Sequence, residues 1–214
     1  MTTDQPVFDF VLLFAVNAFI WSFVEWWVHR TVMHQRALPR FVYRLVPYFE
    51  DTYRNHAVLH HQRYYEVYDH EPDERGRELN LQIQFSDLLS SNLFLTPLHG
   101  FYLFLNPLGS LALFVIIAGC MFAWNRLHVE MHIPSNRWYF RHPFFRFLNR
   151  HHYVHHMHPD RNFNVVLPLA DYLIGTAAQP TRAEREAMRA SGLYGNQRGV
   201  EARGKISVDA PMQI

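Results

Sequence analysis

Two stretches free of Asp, Glu, Lys and Arg constrain this chain more than any other feature. Residues 10–24 (FVLLFAVNAFIWSFV) carry no charge, and the apolar character runs on through Trp26, Trp27 and Val28. Roughly 20 such residues cross a bilayer as a helix, so this segment is expected to be a transmembrane helix. Its N-terminal flank is acidic (Asp4, Asp9) and its C-terminal flank is basic (Arg30, Arg36, Arg40, Arg44). The bias of basic flanks toward the inside then places the end bearing His29 in the cytoplasm.

The second tract, residues 88–125, is broken at Leu105-Asn106-Pro107-Leu108-Gly109, and Asn-Pro followed by Gly is turn chemistry. Two helices are expected, roughly 91–105 and 108–125, with Pro97 disturbing the first. They form a hairpin that dips into the membrane and returns, so both its ends face one side. A buried hairpin in a water-soluble protein is the competing reading. Between the tracts, residues 40–87 mix aromatics with charge, which suits helices lying at the membrane surface.

One domain accounts for the 214 residues. It is expected to be all-α: one N-terminal span plus the hairpin, capped by a cytoplasmic, histidine-rich helical region. Residues 1–180 form this membrane-embedded domain. Residues 181–214 form a polar tail, with a short helix near 181–190 followed by a flexible end. The start of the chain lacks the marks of a cleaved leader and reads as mature sequence. A net charge of +1 gives no support to a nucleic-acid partner. The single cysteine, Cys120, lies in an apolar run, which rules out a disulfide within the chain and argues against a zinc–thiolate site.

Histidine is the outlier. Fifteen occur, where about five would match ordinary usage. Most fall into four clusters: His29 and His34 in HRTVMH; His56, His60 and His61 in HAVLHH; His128 and His132 in HVEMH; and His151, His152, His155, His156 and His158 in HHYVHHMH. Residues four apart on a helix differ in direction by about 40°. By that spacing His56 with His60, His128 with His132, and His152 with His156 each aim two imidazoles at one spot. His61 and His155 widen the fan. His29 and His34 are five apart, about 140° on an ideal helix, and are expected to straddle a helix end. Imidazole is the commonest side-chain ligand of iron, zinc and copper. Ten imidazoles exceed what one metal uses and suit two. A lone pair at this spacing, or the last run alone, has a bland reading as surface histidine. Four clusters beside apolar or aromatic helices do not. His70, His99 and His142 stand alone and are read as structural or surface residues.

The order H-x4-H, H-x3-HH, H-x3-H, H-x2-HH resembles the membrane fatty acid hydroxylase and sterol desaturase superfamily. The resemblance covers roughly residues 20–176 and extends to Asn162-Phe163, Asp171 and Gly175-Thr176 after the last box. It implies that His29, His34, His56, His61 and His155 bind one metal, and that His60, His128, His132, His152 and His156 bind the other. His151 and His158 are extra to the pattern. It further implies two iron ions, with zinc able to occupy the same ligands, and O2 as co-substrate. The activity implied is hydroxylation of an unactivated C–H bond of a lipid-like substrate. Desaturation on the same centre is the alternative outcome, and a membrane metal transporter or binding protein is the non-enzyme alternative.

Three departures from the family stand out. A single span precedes the first box, Asn164 stands where relatives often have glycine, and no cytochrome b5 domain is fused. A separate donor of ferredoxin or cytochrome b5 type is therefore expected. An all-imidazole set leaves the charge of two cations uncompensated, so nearby carboxylates are expected. Glu25, one turn before His29, is the first candidate, followed by Asp160 and Asp171. Glu130 should face away from the ligands of its helix.

Overall fold

A computed structural model describes residues 5–65, 68, 83, 85–133 and 137–194. Every regular element among them is helical. Helix α1 (Gln5–Val28) continues into a wider, π-helical turn, His29–His34. Helices α2 (Arg40–Leu45) and α3 (Pro47–Tyr53) follow, and α3 runs on as a second π-helical stretch, Arg54–Tyr64. Then come α4 (Phe85–Phe94), α5 (Thr96–Leu105) and α6 (Pro107–His132). A single 3-10 turn, Trp138–Arg141, leads to α7 (Pro143–Met157), and the short helices α8 (Leu169–Ile174) and α9 (Arg182–Ala190) complete the order.

Helix α1 is inside out by the standard of a water-soluble protein. Its exposed positions are Val7, Phe8, Val11, Leu12, Val16 and Phe19, whereas Asn17, Ser22 and Glu25 are buried. A continuous apolar face of this kind is unfavourable against water and favourable against lipid tails. Among the described residues two helices are long and apolar enough to cross a membrane: the continuous Gln5–His34 and Pro107–His132. The pair Asp87–Phe94 and Thr96–Leu105 passes the same test only if taken as one span bent by 59°.

The break in that pair lies at Leu95, upstream of the expected hairpin turn. Pro97 sits in the first turn of α5. Its ring removes a donor and disfavours helical backbone in the residue before it, so the first segment cannot run straight through. The turn at Asn106 forms where the sequence places it. The Asn106 side chain accepts from the Leu108 N–H at 3.1 Å, and Pro107 occupies the first turn of α6. Helix α6 is longer than expected, because it runs to His132 rather than ending near residue 125.

Helices α1 and α6 pack along their length and run in the same direction. Midway along α1 the Asn17 amide donates to the Gly109 carbonyl near the start of α6, at 3.3 Å. Near their ends the His29 and Trp124 rings lie 5.5 Å apart. Gly109 allows the close approach of α5, since a Cβ there would run into the Tyr102 ring. The histidine-bearing ends of α1 and α6 therefore lie side by side. Asn125 receives the Ile83 N–H at 2.6 Å and donates to the Ile83 carbonyl at 2.9 Å, which fixes the entry to α4 at the same end.

Helix α9 begins with a reciprocal cap between Thr181 and Glu184 and buries Met188 completely, with Leu193 beside it. The expected helix is thus present and packed on the core. The flexible end expected after it lies outside the described residues.

Candidate metal centre

Ten histidines from four helical segments converge in two adjoining groups. His29, His34, His56, His61 and His155 form the first; His60, His128, His132, His152 and His156 form the second. Within each group the candidate ligand atoms all lie within 4.8 Å of one another.

Local helix geometry decides which ring goes where. His29 and His34 do not straddle a helix end as expected. The terminal turn of α1 is π-wound, with the Gln35 N–H bonding to the Arg30 carbonyl five residues back at 3.0 Å. The wider turn brings residue i+5 much nearer the face of residue i than an α-helix would, so both rings reach one spot. The second π-helical stretch does the same for His56 and His61. It turns His60 away to the second group, which corrects the reading that His56 and His60 share a target by α-helical spacing. The pairs His128 with His132 and His152 with His156 lie on true α-helix and keep the four-residue relation.

In the first group the Nε2 atoms of His29 and His56 lie 2.8 Å apart, those of His34 and His155 3.0 Å, and those of His29 and His34 3.3 Å. In the second group the corresponding distances are 3.2 Å for His60 and His156, 3.1 Å for His132 and His152, and 3.2 Å for His152 and His156. The opposite nitrogens explain what these atoms are. His155 Nδ1 donates to the Arg161 carbonyl at 2.7 Å, His132 Nδ1 to Tyr68 at 3.1 Å and His156 Nδ1 to Tyr65 at 3.3 Å. His29 Nδ1 donates to the Phe163 carbonyl. A carbonyl only accepts, so the proton sits on Nδ1 and each Nε2 presents a bare lone pair.

The rings are also held uncharged. Burial, followed by the neighbouring imidazoles, pushes His56, His60, His61, His152 and His156 far below the ordinary histidine range. Burial brings His155 down to about 4, against the opposing pull of the Arg161 carbonyl. Facing lone pairs at about 3 Å repel, and a cation between them turns the repulsion into coordination. Each group therefore fits a metal ion that accepts nitrogen ligands: iron, zinc, copper or nickel in preference to magnesium or calcium. The groups share a wall, where His61 and His156 stack with centroids 4.1 Å apart.

The remaining histidines have other partners. His151 Nε2 pairs with Asp171 Oδ2 at 3.1 Å, and His158 Nε2 with Glu184 Oε1 at 2.7 Å. His99 bonds Ser110 at 2.8 Å and Asn92 at 3.1 Å, joining α4, α5 and α6. His142 caps α7 by accepting from the Phe144 N–H at 3.3 Å. His70 lies outside the described residues.

The three candidate carboxylates separate. Asp160 is exposed beside Arg161, 3.6 Å away, and is turned to the surface rather than toward the rings. Glu25 is buried, and its Oε1 accepts from the Val165 N–H at 2.7 Å and the Val166 N–H at 3.1 Å. Asp171 is fully buried. Its Oδ1 accepts from the Phe163 N–H at 2.9 Å and from Thr176 Oγ1 at 2.7 Å, while Oδ2 accepts from the Asn164 N–H at 2.7 Å. Burial works to raise this carboxyl, but the hydrogen bonds from His151, Asn164 and Thr176 outweigh it and hold Asp171 below its ordinary value. Neither Glu25 nor Asp171 belongs to a ligand group; both bind the segment that carries the Phe163 carbonyl. Glu130 is buried and lies 3.7 Å from Arg137, away from the ligand face as expected. The carbonyls of Tyr65, Tyr68, Arg161 and Phe163 were not legible in the sequence, because any residue type supplies a carbonyl.

Comparison with protein-family models, curated proteins and solved structures finds no match to this chain.

Proposed function

We propose that this chain is a membrane-embedded, O2-dependent oxidoreductase of the fatty acid hydroxylase and sterol desaturase type, hydroxylating an unactivated C–H bond of a lipid-like substrate. The observation that carries this reading is the pair of buried, adjoining five-imidazole groups at the ends of two apolar helices. Two iron ions would be held by these ten rings and would supply the redox chemistry that acid–base side chains lack. One oxygen atom would enter the C–H bond and the other would leave as water, with two electrons from a separate donor protein and two protons from the solvent.

The chain's own residues have definable tasks in this reading. The backbone carbonyls of Phe163, Arg161, Tyr65 and Tyr68 hold four of the rings in one tautomer and one orientation, so little reorganisation accompanies metal binding. Trp124 packs against both His29 and His128 and, with Tyr65 and Tyr68 against His132, keeps water from the rings. The exposed apolar faces of α1, α4, α5 and α6 sit in lipid, and an apolar substrate reaches the centre from that side. The basic residues Arg30, Arg36, Arg40 and Arg44 after α1 favour a cytoplasmic location for the histidine end.

A membrane metal transporter is the rival from another class. Transporters place ionisable ligands near the middle of their spans. Here His29 and His34 terminate α1, and His128 and His132 terminate α6, which favours a resident centre. The deciding experiment incubates iron-loaded protein in lipid with O2 and a reducing system and analyses the lipids by mass spectrometry. A product heavier by one oxygen is expected, and it should vanish without O2 or reductant. Iron that exchanges freely while no lipid is oxidised would overturn the enzyme reading.

A further inference from the structure

The two histidine groups are built alike but supported differently. In the second group, His132 and His156 donate to the carbonyls of Tyr68 and Tyr65. In the first group, His155 and His29 donate to the carbonyls of Arg161 and Phe163, two residues apart on the segment that follows α7.

That segment is clamped from both sides by buried groups. Asp171 takes the N–H groups of Phe163 and Asn164 on its two oxygens. Glu25, on α1, takes those of Val165 and Val166. Four consecutive backbone donors thus end on two carboxylates. Asn162 adds a third hold: its backbone is left-handed at φ 52°, its amide donates to the His151 carbonyl at 3.0 Å and its carbonyl oxygen accepts from the Ala178 N–H at 2.6 Å. Thr176 donates to Asp171 and accepts from the Trp26 indole at 2.9 Å, which ties the clamp back to α1. Burying a carboxylate is costly, and the bonds that offset the cost, to both oxygens of Asp171 and to Oε1 of Glu25, all come from or beside one short stretch of backbone. The stretch carries the two carbonyls that set the protonated nitrogen, and hence the aim, of His29 and His155.

We infer that Asp171 and Glu25 are positioning residues for the first group: by fixing the Phe163 and Arg161 carbonyls they hold His29 and His155 in their metal-binding tautomer, and Glu25, which makes no bond to the helix shared by both groups, sets the affinity of the first group separately from the second. This rests on the two groups binding metal, as proposed above. Partners that orient ligand histidines typically change metal affinity by about 10–100-fold when lost.

The test titrates metal-free protein with Co2+ against a competing chelator, following the cobalt absorption, and resolves two dissociation constants. His34→Ala and His132→Ala identify which constant belongs to which group. Asp171→Asn puts an amide donor where donors already converge, and should weaken the first-group constant by about 10–100-fold. Glu25→Ala should do the same without touching His151, whose bond to Asp171 braces a helix that serves both groups. Glu25→Gln keeps an oxygen for Val165 and Val166 and should restore the constant to within about threefold of wild type, a change under about 0.7 kcal/mol. The second-group constant should stay near wild type in both Glu25 variants, and Glu25→Gln should also keep the melting temperature of the metal-free protein, whereas Glu25→Ala leaves the Val165 and Val166 N–H groups unpaired and lowers it. Both constants falling together with that melting temperature would reduce the clamp to a general structural role and overturn the inference. So would two wild-type constants left unmoved in Glu25→Ala. Wild-type protein that takes up no Co2+ overturns the metal reading itself.

Discussion

Removing the metals should convert this centre into an acid-labile core, and the size of the effect follows from the burial of the rings. His155 is held near 4, against an ordinary 6.5. The unfolded chain therefore binds this proton more readily than the folded one, and stability must rise with pH across that window and fall as acid is added. Between about pH 7.5 and about pH 5, His155 alone should remove about 2 kcal/mol from the metal-free protein. His56, His60, His61, His152 and His156 are pushed further down by burial and by each other, so the single-residue figure is a lower bound. The assay is thermal or denaturant unfolding of chelator-treated protein in one detergent across this pH range. The metal-free protein should lose several degrees or more of melting temperature, while the metal-loaded protein should hold steady until the pH at which metal is released. A metal-free protein equally stable at both ends of the range would contradict this expectation and mean that the rings are solvated or already protonated.

Other substitutions separate ligands from their neighbours. His158→Ala removes an exposed pair with Glu184 and should keep both metals, with a stability change below about 1 kcal/mol by thermal unfolding; His152→Ala, His155→Ala and His156→Ala should each lower bound metal. Gly109→Ala drives a methyl group into the Tyr102 ring and should cost about 1–3 kcal/mol in denaturant unfolding, part of it recovered by Tyr102→Leu. A cysteine introduced at the exposed Gln179 in a Cys120→Ala background should react with a membrane-impermeant maleimide only from the cytoplasmic face.

What the sequence made legible follows from the range of the forces involved. The charge-free tracts of α1 and α6 announce themselves because lipid exposure acts on many consecutive side chains. Pairs at four-residue spacing, such as His128 with His132, are legible because α-helix is the default winding. The winding of His29–His34 and Arg54–Tyr64 was not legible: π-helix differs from α-helix by a hydrogen-bond shift set by the assembled core, and the sequence carries no local mark of it. That one difference pairs His56 with His61 instead of with His60. The split implied by family resemblance and the grouping in the structure contain the same residues, and the π geometry supplies a physical reason for it. Carboxylates show the opposite limit. Asp160 and Asp171 are the same residue type and both follow the last histidine box, yet one is at the surface and the other is buried beneath the loop. Only the fold of residues 161–176 distinguishes them.

The most direct test of the two-metal account is anomalous diffraction at the iron edge from crystals of the iron-loaded protein. Two peaks are predicted, one among the Nε2 atoms of His29, His34, His56, His61 and His155 and one among those of His60, His128, His132, His152 and His156. A single peak, or iron bound away from both groups, would contradict it.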